Sequence, residues 1–466
     1  MIPHLWEELN NHECAEHRLW GCLHCGCHII HLSVFVNYFH AMILYMHYDY
    51  ILKNGVLLTT FGPERADLGI VSGKIAKIGT IEGGKAGQAK EVIDCTDLHV
   101  LPGAIDMHVH FREPGATHKE DLASGSAAAL SAGITTVADM PNNDPPIYTF
   151  EALAHKRQLV QEKAVCNVLL YMGFNGENLE EIKKAQAQGW RDFAGVKLYM
   201  SHSTGVEAAQ NLEAIEDLLQ LGLFIIVHSE DERIIRQHMD TYKEDEDPSV
   251  HSLIHSPESA FEATRKILHL AKKYGTRLHI THVSTKAEAD EIAKFKSGGM
   301  ITADATPHHL FLNETAYASL ENFVKMNPPL RHEADREGLW EALRTGTIDC
   351  VATDHAPHTR AEKEVPYSQA PAGVPGVETM LPLLLNAVTH GELNLQDVVR
   401  ITSKKPADIL ALPNKGRIEE GADADLVIVD MNLTKKVGAD GYKSKCGWSP
   451  FEGKELTGWP VRAILS

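Results

Sequence analysis

Positive charge is scarce along this chain: 44 lysines and arginines stand against 63 aspartates and glutamates over 466 residues, a formal net charge of −19. That surplus argues against nucleic acid or an anionic membrane as a partner. Cysteine is scarce as well. Four of the eight lie in the first 27 residues, and Cys95, Cys166, Cys350 and Cys446 are scattered without the spacing of a disulfide framework, which suits a reducing, cytoplasmic compartment. Apolar runs of membrane length are missing. The most apolar stretch, Ile29 to Met46, is broken by His31, Asn37 and His40, and upstream of it one basic residue against four acids is no signal-peptide pattern. No internal repeat or low-complexity linker divides the chain. What is plentiful is apolar residues, 44% of the total, enough for a large core at a length suited to one large domain plus a satellite.

The most informative segment is Asp106-Met-His108-Val-His110-Phe-Arg112. On a strand alternate residues point the same way, so His108, His110 and Arg112 are expected to project into one space. Neutral imidazole is a good zinc ligand and guanidinium a good carboxylate clamp, so the segment reads as a metal site beside an anionic substrate. Further ligand candidates follow. Eight short apolar runs, each trailed by helical periodicity, end at His108/His110, Thr135 to Asn142, Asn167 to Met172, Gly195 to Lys197, Phe224 to His228, Leu278 to His282, Ile301 to Asp304 and Cys350 to Asp354. This is the pattern of a (β/α)8 TIM-like barrel, in which strand C-termini form the catalytic face. Taken singly, Lys197 is an ordinary surface lysine, His228 and His282 are hydrogen-bonded core histidines, and Asp354 is a turn or cap residue. Together at the ends of different strands, they point to one metal-binding rim.

These motifs resemble the amidohydrolase superfamily, and within it the dihydroorotases. The resemblance runs from about Met46 to the C-terminus. It is carried by Asp106-Met-His-Val-His-Phe-Arg-Glu-Pro-Gly115 and Ala352-Thr-Asp-His-Ala-Pro-His-Thr-Arg-Ala-Glu-Lys363, and by the shorter segments Met140-Pro-Asn142, Asn327-Pro-Pro-Leu-Arg331 and Pro371 to Glu378. It implies two zinc ions per subunit, one held by His108, His110 and Asp354 and the other by His228 and His282, bridged by Lys197 as a carbamate. It further implies that Asp354 shuttles the proton in reversible hydrolysis of a cyclic amide, dihydroorotate to N-carbamoyl-L-aspartate. Arg112, Asn142 and His358 are implied to take the substrate carboxylate, with Asn327 and the backbone around Ala372 and Gly373 holding the ring. Hydantoinase-, dihydropyrimidinase- or allantoinase-like activity is the alternative within the same chemistry. A noncatalytic amidohydrolase-like scaffold is the alternative outside it. A homo-oligomer is expected, and association with aspartate carbamoyltransferase is conceivable.

The flanks read as short hairpins, Ile51 to Leu58, Leu68 to Ile78 and Gly416 to Val429. The resemblance implies that the two flanks, residues 46–101 and 411–466, form one composite β-sandwich beside a barrel at 102–410. Residues 1–45 are expected to be a poorly structured extension or a non-native start, since Cys22-Leu-His-Cys25-Gly-Cys27 has no second pair at finger spacing. Beyond Ser466 the resemblance would expect a further strand or so, so the C-terminus is expected to be clipped. Glu230 and Asp231 are expected either to back a metal ligand as hydrogen-bond acceptors or to start a helix. Ser284-Thr285 reads as another helix start, and His308-His309 as support for the seventh strand.

Overall fold

The computed structural model describes residues 47–82, 89–202, 209 and 211–466. The expectations for residues 1–45 lie outside them. Five strands come first: β1 (Tyr48–Thr59), β2 (Gly62–Val71), β3 (Lys74–Gly79), β4 (Ala89–Asp94) and β5 (His99–Pro102). The β2–β3 hairpin turns on Ser72 and Gly73, both at positive φ (49° and 73°), the backbone that a two-residue hairpin between right-twisted strands requires.

Eight parallel strands follow: β6 (Ala104–Val109), β7 (Ile134–Asp139), β8 (Asn167–Phe174), β9 (Phe193–Tyr199), β10 (Phe224–His228), β11 (Arg277–Ile280), β12 (Ile301–Ala305) and β13 (Cys350–Val351). Strands β6, β7 and β10 are buried at every residue, as expected of parallel strands covered on both faces. Ile105 and Met107 of β6, Ala138 of β7, Tyr171 of β8, Ile226 of β10 and Cys350 of β13 form one cluster although they come from five strands spread around the sheet, as a barrel interior permits. The first and last strands share no ladder. The seam is closed by His355, which bridges Val109 on one side and Val374 on the other, and whose carbonyl accepts from the His110 N–H at 2.8 Å.

The chain ends in β14 (Leu426–Lys436) and β15 (Glu455–Ile464), which join the first sheet in the order β15-β14-β5-β1-β2-β3, with β4 pairing β1. One sheet is therefore built from both ends of the chain. Gly103 alone separates β5 from β6, so this sheet anchors the start of the barrel directly. The stretch from Gly416 is not a continuous hairpin as expected. Its first part lies across β3, with Ile75 N–H bonded to Ala422 O and Gly421 N–H to Ile75 O, and the strand begins only at Leu426.

Three strands stop earlier than their apolar runs suggest. The run expected to carry His108, His110 and Arg112 on one face ends at Val109, and Arg112 beyond it adopts φ 60°. The runs toward His282 and Asp354 end at Ile280 and Val351, with φ of 40° and 47° at those two residues. Left-handed backbone at non-glycine residues costs energy and persists only where the surroundings enforce it. Among the described residues no helix is long and apolar enough to cross a membrane.

Candidate metal centre

Buried carboxylates fix the strand ends that carry the site. Asp106, wholly enclosed, accepts from the backbone N–H of His108 (3.1 Å) and of Thr353 (3.0 Å), drawing the first and last strands together. As a result one oxygen of Asp354 lies 3.1 Å from His108 Nε2 and 2.9 Å from His110 Nε2. Asp304 works likewise on the opposite wall: Oδ1 accepts from His282 N–H at 2.6 Å and Oδ2 pairs with His279 Nε2 at 2.8 Å. Behind His110, Asn142 Oδ1 bonds the other ring nitrogen.

His228 turns Nδ1 toward His282 Nε2 at 3.0 Å, while Glu230 (2.9 Å) and Ser201 (3.1 Å) hold its Nε2 from behind. The ring centroids of His108 and His282 are 5.4 Å apart, so the two groups are continuous. Lys197 is fully buried, its Nζ 3.4 Å from Thr281 Oγ1 and 5.2 Å above the Tyr199 ring. Ligand atoms of His108, His110 and Asp354 all lie within 4.8 Å of one another. The six side chains singled out in the sequence thus come together at one mouth of the barrel.

Electrostatics suit a cation there. Burial, followed by the charge of Lys197, holds His108 well below the usual imidazole range; burial and then His228 do the same to His282. Burial also lowers His110, although Asp354 pulls it back. These rings are neutral at pH 7 and offer lone pairs. Burial brings Lys197 down to about 7 against the pull of Asp354 and Asp304, so a substantial share of the amine is uncharged. His108 Nδ1 and His282 Nδ1 are buried without a hydrogen-bond partner. Neutral imidazoles around a carboxylate, two of them with a nitrogen unused, fit a divalent ion of the zinc type.

Beside the centre, Arg112 is buried and its Nη2 approaches His358 Nε2 at 3.3 Å. His358 Nε2 lies 3.1 Å from Ala372 O, and Lys119 Nζ 3.0 Å from His358 Nδ1. Gly373 (φ 139°) passes so close that a Cβ would stand 2.6 Å from Ala356 O and 3.0 Å from His358 Nε2. Lys363 Nζ, fully buried, donates to the carbonyls of Lys325, Pro371 and Gly373, pinning this loop. Asn327 Oδ1 faces His251 Nε2 at 2.8 Å, and His251 Nδ1 faces the Tyr367 hydroxyl at 2.9 Å. Arg112, His358, Ala372 and Gly373 therefore meet. Asn142 faces His110, and Asn327 sits on the His251 side. Sequence reasoning missed Asp106, Asp304, His251, Lys119 and Lys363; two of them stand inside the quoted motifs, but nothing in the sequence tells which way they turn.

A profile of the amidohydrolase family matches residues 99–460, and the chain belongs to that family. Within it, the chain is similar to curated dihydroorotases. That of Halobacterium salinarum is 42% identical over 361 residues, covering 77% of this chain and 83% of the relative, and that of Methanosarcina acetivorans 36% identical over 419 residues, covering 87% and 89%. Among solved structures, the L-hydantoinase (dihydropyrimidinase) from Arthrobacter aurescens superposes with a TM-score of 0.84 at 30% identity, covering 90% of this chain and 95% of that one.

Proposed function

We propose that this chain is a zinc-dependent dihydroorotase, interconverting dihydroorotate and N-carbamoyl-L-aspartate in pyrimidine biosynthesis in the cytoplasm. One observation carries the choice among cyclic amides: Arg112 and His358, both buried, converge beside the histidine cluster, and Arg112 Nε is enclosed without a partner. An uncharged ring leaves the Nε hydrogen without an acceptor; a ring carboxylate completes it through a charge-assisted fork. The relatives named dihydroorotase support the same reading.

In this reading His108, His110 and Asp354 would hold one ion and His228 and His282 another, with Lys197, once carboxylated, offering oxygens to both. The uncharged amine of Lys197 adds to carbon dioxide, losing one proton and gaining the negative oxygens that an ammonium lacks. When bound, the ions supply Lewis acidity and lower the pKa of water. Asp354 accepts a proton from the attacking water and returns it to the departing ring nitrogen as the amide C–N bond breaks. Arg112 and His358 orient the ring by its carboxylate, with Asn142 steadying His110 and Asn327 and the Ala372–Gly373 backbone holding the rest. The working form is a homo-oligomer, with aspartate carbamoyltransferase a candidate partner.

A side-by-side assay of the zinc-loaded chain on dihydroorotate, dihydrouracil, hydantoin and allantoin tests this, with turnover of dihydroorotate expected to dominate. Arg112→Met removes a charge-assisted bond worth about 2 kcal/mol, so kcat/KM for dihydroorotate should fall ~30-fold or more beyond any loss on hydantoin. Equal losses on both rings overturn the assignment. Metal analysis separates an enzyme from a scaffold, which would carry little zinc.

A further inference from the structure

The atoms around His358 admit one arrangement of protons. An ammonium has hydrogens to give and no lone pair, so Lys119 Nζ at 3.0 Å requires a bare nitrogen at His358 Nδ1. A carbonyl only accepts, so Ala372 O at 3.1 Å requires a hydrogen on Nε2. The Arg112 Nη2 at 3.3 Å from Nε2 is then a second donor lying beside the first rather than a partner to it. The reverse tautomer gains the Arg112 contact but sets two N–H groups against each other at Lys119 and two lone pairs at Ala372, one gain against two losses.

Lys119 is itself held. Its Nζ lies 3.0 Å from Glu362 Oε1, and Glu362 accepts from Thr359 N–H at 2.9 Å and from the Thr359 hydroxyl at 3.0 Å. The backbone of His358 is fixed by the Trp448 indole, which donates to its carbonyl at 2.7 Å. Burial, then Arg112, Lys119 and Lys363, keep a second proton off the ring.

We propose that Lys119 is a positioning residue that locks His358 with its hydrogen on Nε2, so that imidazole and the Arg112 guanidinium present two parallel donors to a single carboxylate of the substrate. The inference rests on the reading of Arg112 and His358 given above. An anionic oxygen placed between them takes over the acceptor role of Ala372 O. Glu362, Lys119 and His358 then form a chain in which each member orients the next, ending at the ligand.

The test has one arm without substrate and one with it. Histidine-selective 15N NMR of the metal-loaded wild-type chain, with His358 assigned by its absence in His358→Gln, should show a bare Nδ1 and a protonated Nε2. Detection of the opposite tautomer, or of an imidazolium near pH 7, overturns the proposal. In kinetics, Lys119→Met should raise KM for dihydroorotate about tenfold more than KM for hydantoin, the worth of one misdirected hydrogen bond, with kcat little changed. Lys119→Arg should recover most of the loss. A fall in kcat alone, or an equal rise in KM on both rings, also overturns it. If wild type prefers hydantoin to dihydroorotate, the functional reading fails by itself, and the NMR arm still decides the role of Lys119.

Discussion

Single side chains at this site do work that residue type alone does not announce. Glu230 and Asp231 are adjacent acids after a strand, and the sequence leaves both open as helix starters or ligand supports. The structure divides the roles: Asp231 caps the helix Glu232–Tyr242 by accepting from Arg233 and Ile234 N–H, while Glu230 is wholly buried between His228 and His255. Carboxylates behind a metal-bound imidazole fix its orientation and raise its basicity, and losing one typically costs roughly 10- to 100-fold in affinity. Glu230→Ala should therefore weaken zinc binding by about that factor in competition with a chelator. The histidines, Asp354 and Lys197 were legible because a two-residue strand period and a catalytic face at strand ends are general rules. Asp106 and Asp304 were not, because a carboxylate that accepts from backbone N–H groups of its own or a neighbouring strand leaves no spacing signature. Thr285 was legible as a helix start for the opposite reason, since capping is local: its hydroxyl and Glu288 form a reciprocal box.

Among the elements, the helix Leu122–Ser131 places the site by being thin. Its sequence Leu-Ala-Ser-Gly-Ser-Ala-Ala-Ala-Leu-Ser lets it lie hard against the residues following β6, and a Cβ on Gly125 would stand 2.5 Å from the ring of Phe111, the residue between His110 and Arg112. Gly125→Ala forces that ring aside. Overpacking of this kind costs about 1–3 kcal/mol, so the variant should melt earlier and also bind zinc less tightly, because His110 moves with its neighbour. Calorimetry and metal titration of the same preparation check both. Helical periodicity after the first apolar run signalled a helix here, but which glycine touches which ring depends on contacts distant in sequence. The early ends of β11 and β13 were illegible for a related reason. His282 and Asp354 carry no mark of left-handed backbone, and the tertiary network that enforces it is visible only once folded.

Across the whole molecule, charge sets the acid limit of stability. Burial opposes ionisation of Asp121, yet Lys445 and the Ser124 N–H hold it down at about 2; Glu362 is held at about 2 by the Thr359 N–H and Lys119 against the same opposition. Groups whose folded pKa is depressed contribute fully above their unfolded values, near 4, and lose that contribution as pH falls through the folded ones. Unfolding midpoints should stay level from neutrality to about pH 5 and then drop steeply between about pH 4 and 2. A midpoint that holds across that interval would show these ion pairs to be inert. At this scale the barrel was legible as eight repeats of strand and helix. That both chain ends join in the first sheet was legible only through the family resemblance, since no local pattern predicts pairing between Pro102 and Leu426.

That last pairing has a consequence for biosynthesis. A ribosome releases the chain from its amino end, and β5 emerges hundreds of residues before the partner that flanks it. Until Leu426 and the strand behind it have cleared the exit tunnel, β5 leaves one edge bare and the barrel lacks the brace at its entry. Completion of this sheet therefore waits on synthesis of β14, and the nascent intermediate, with an open strand edge, is the species a chaperone would have to shield.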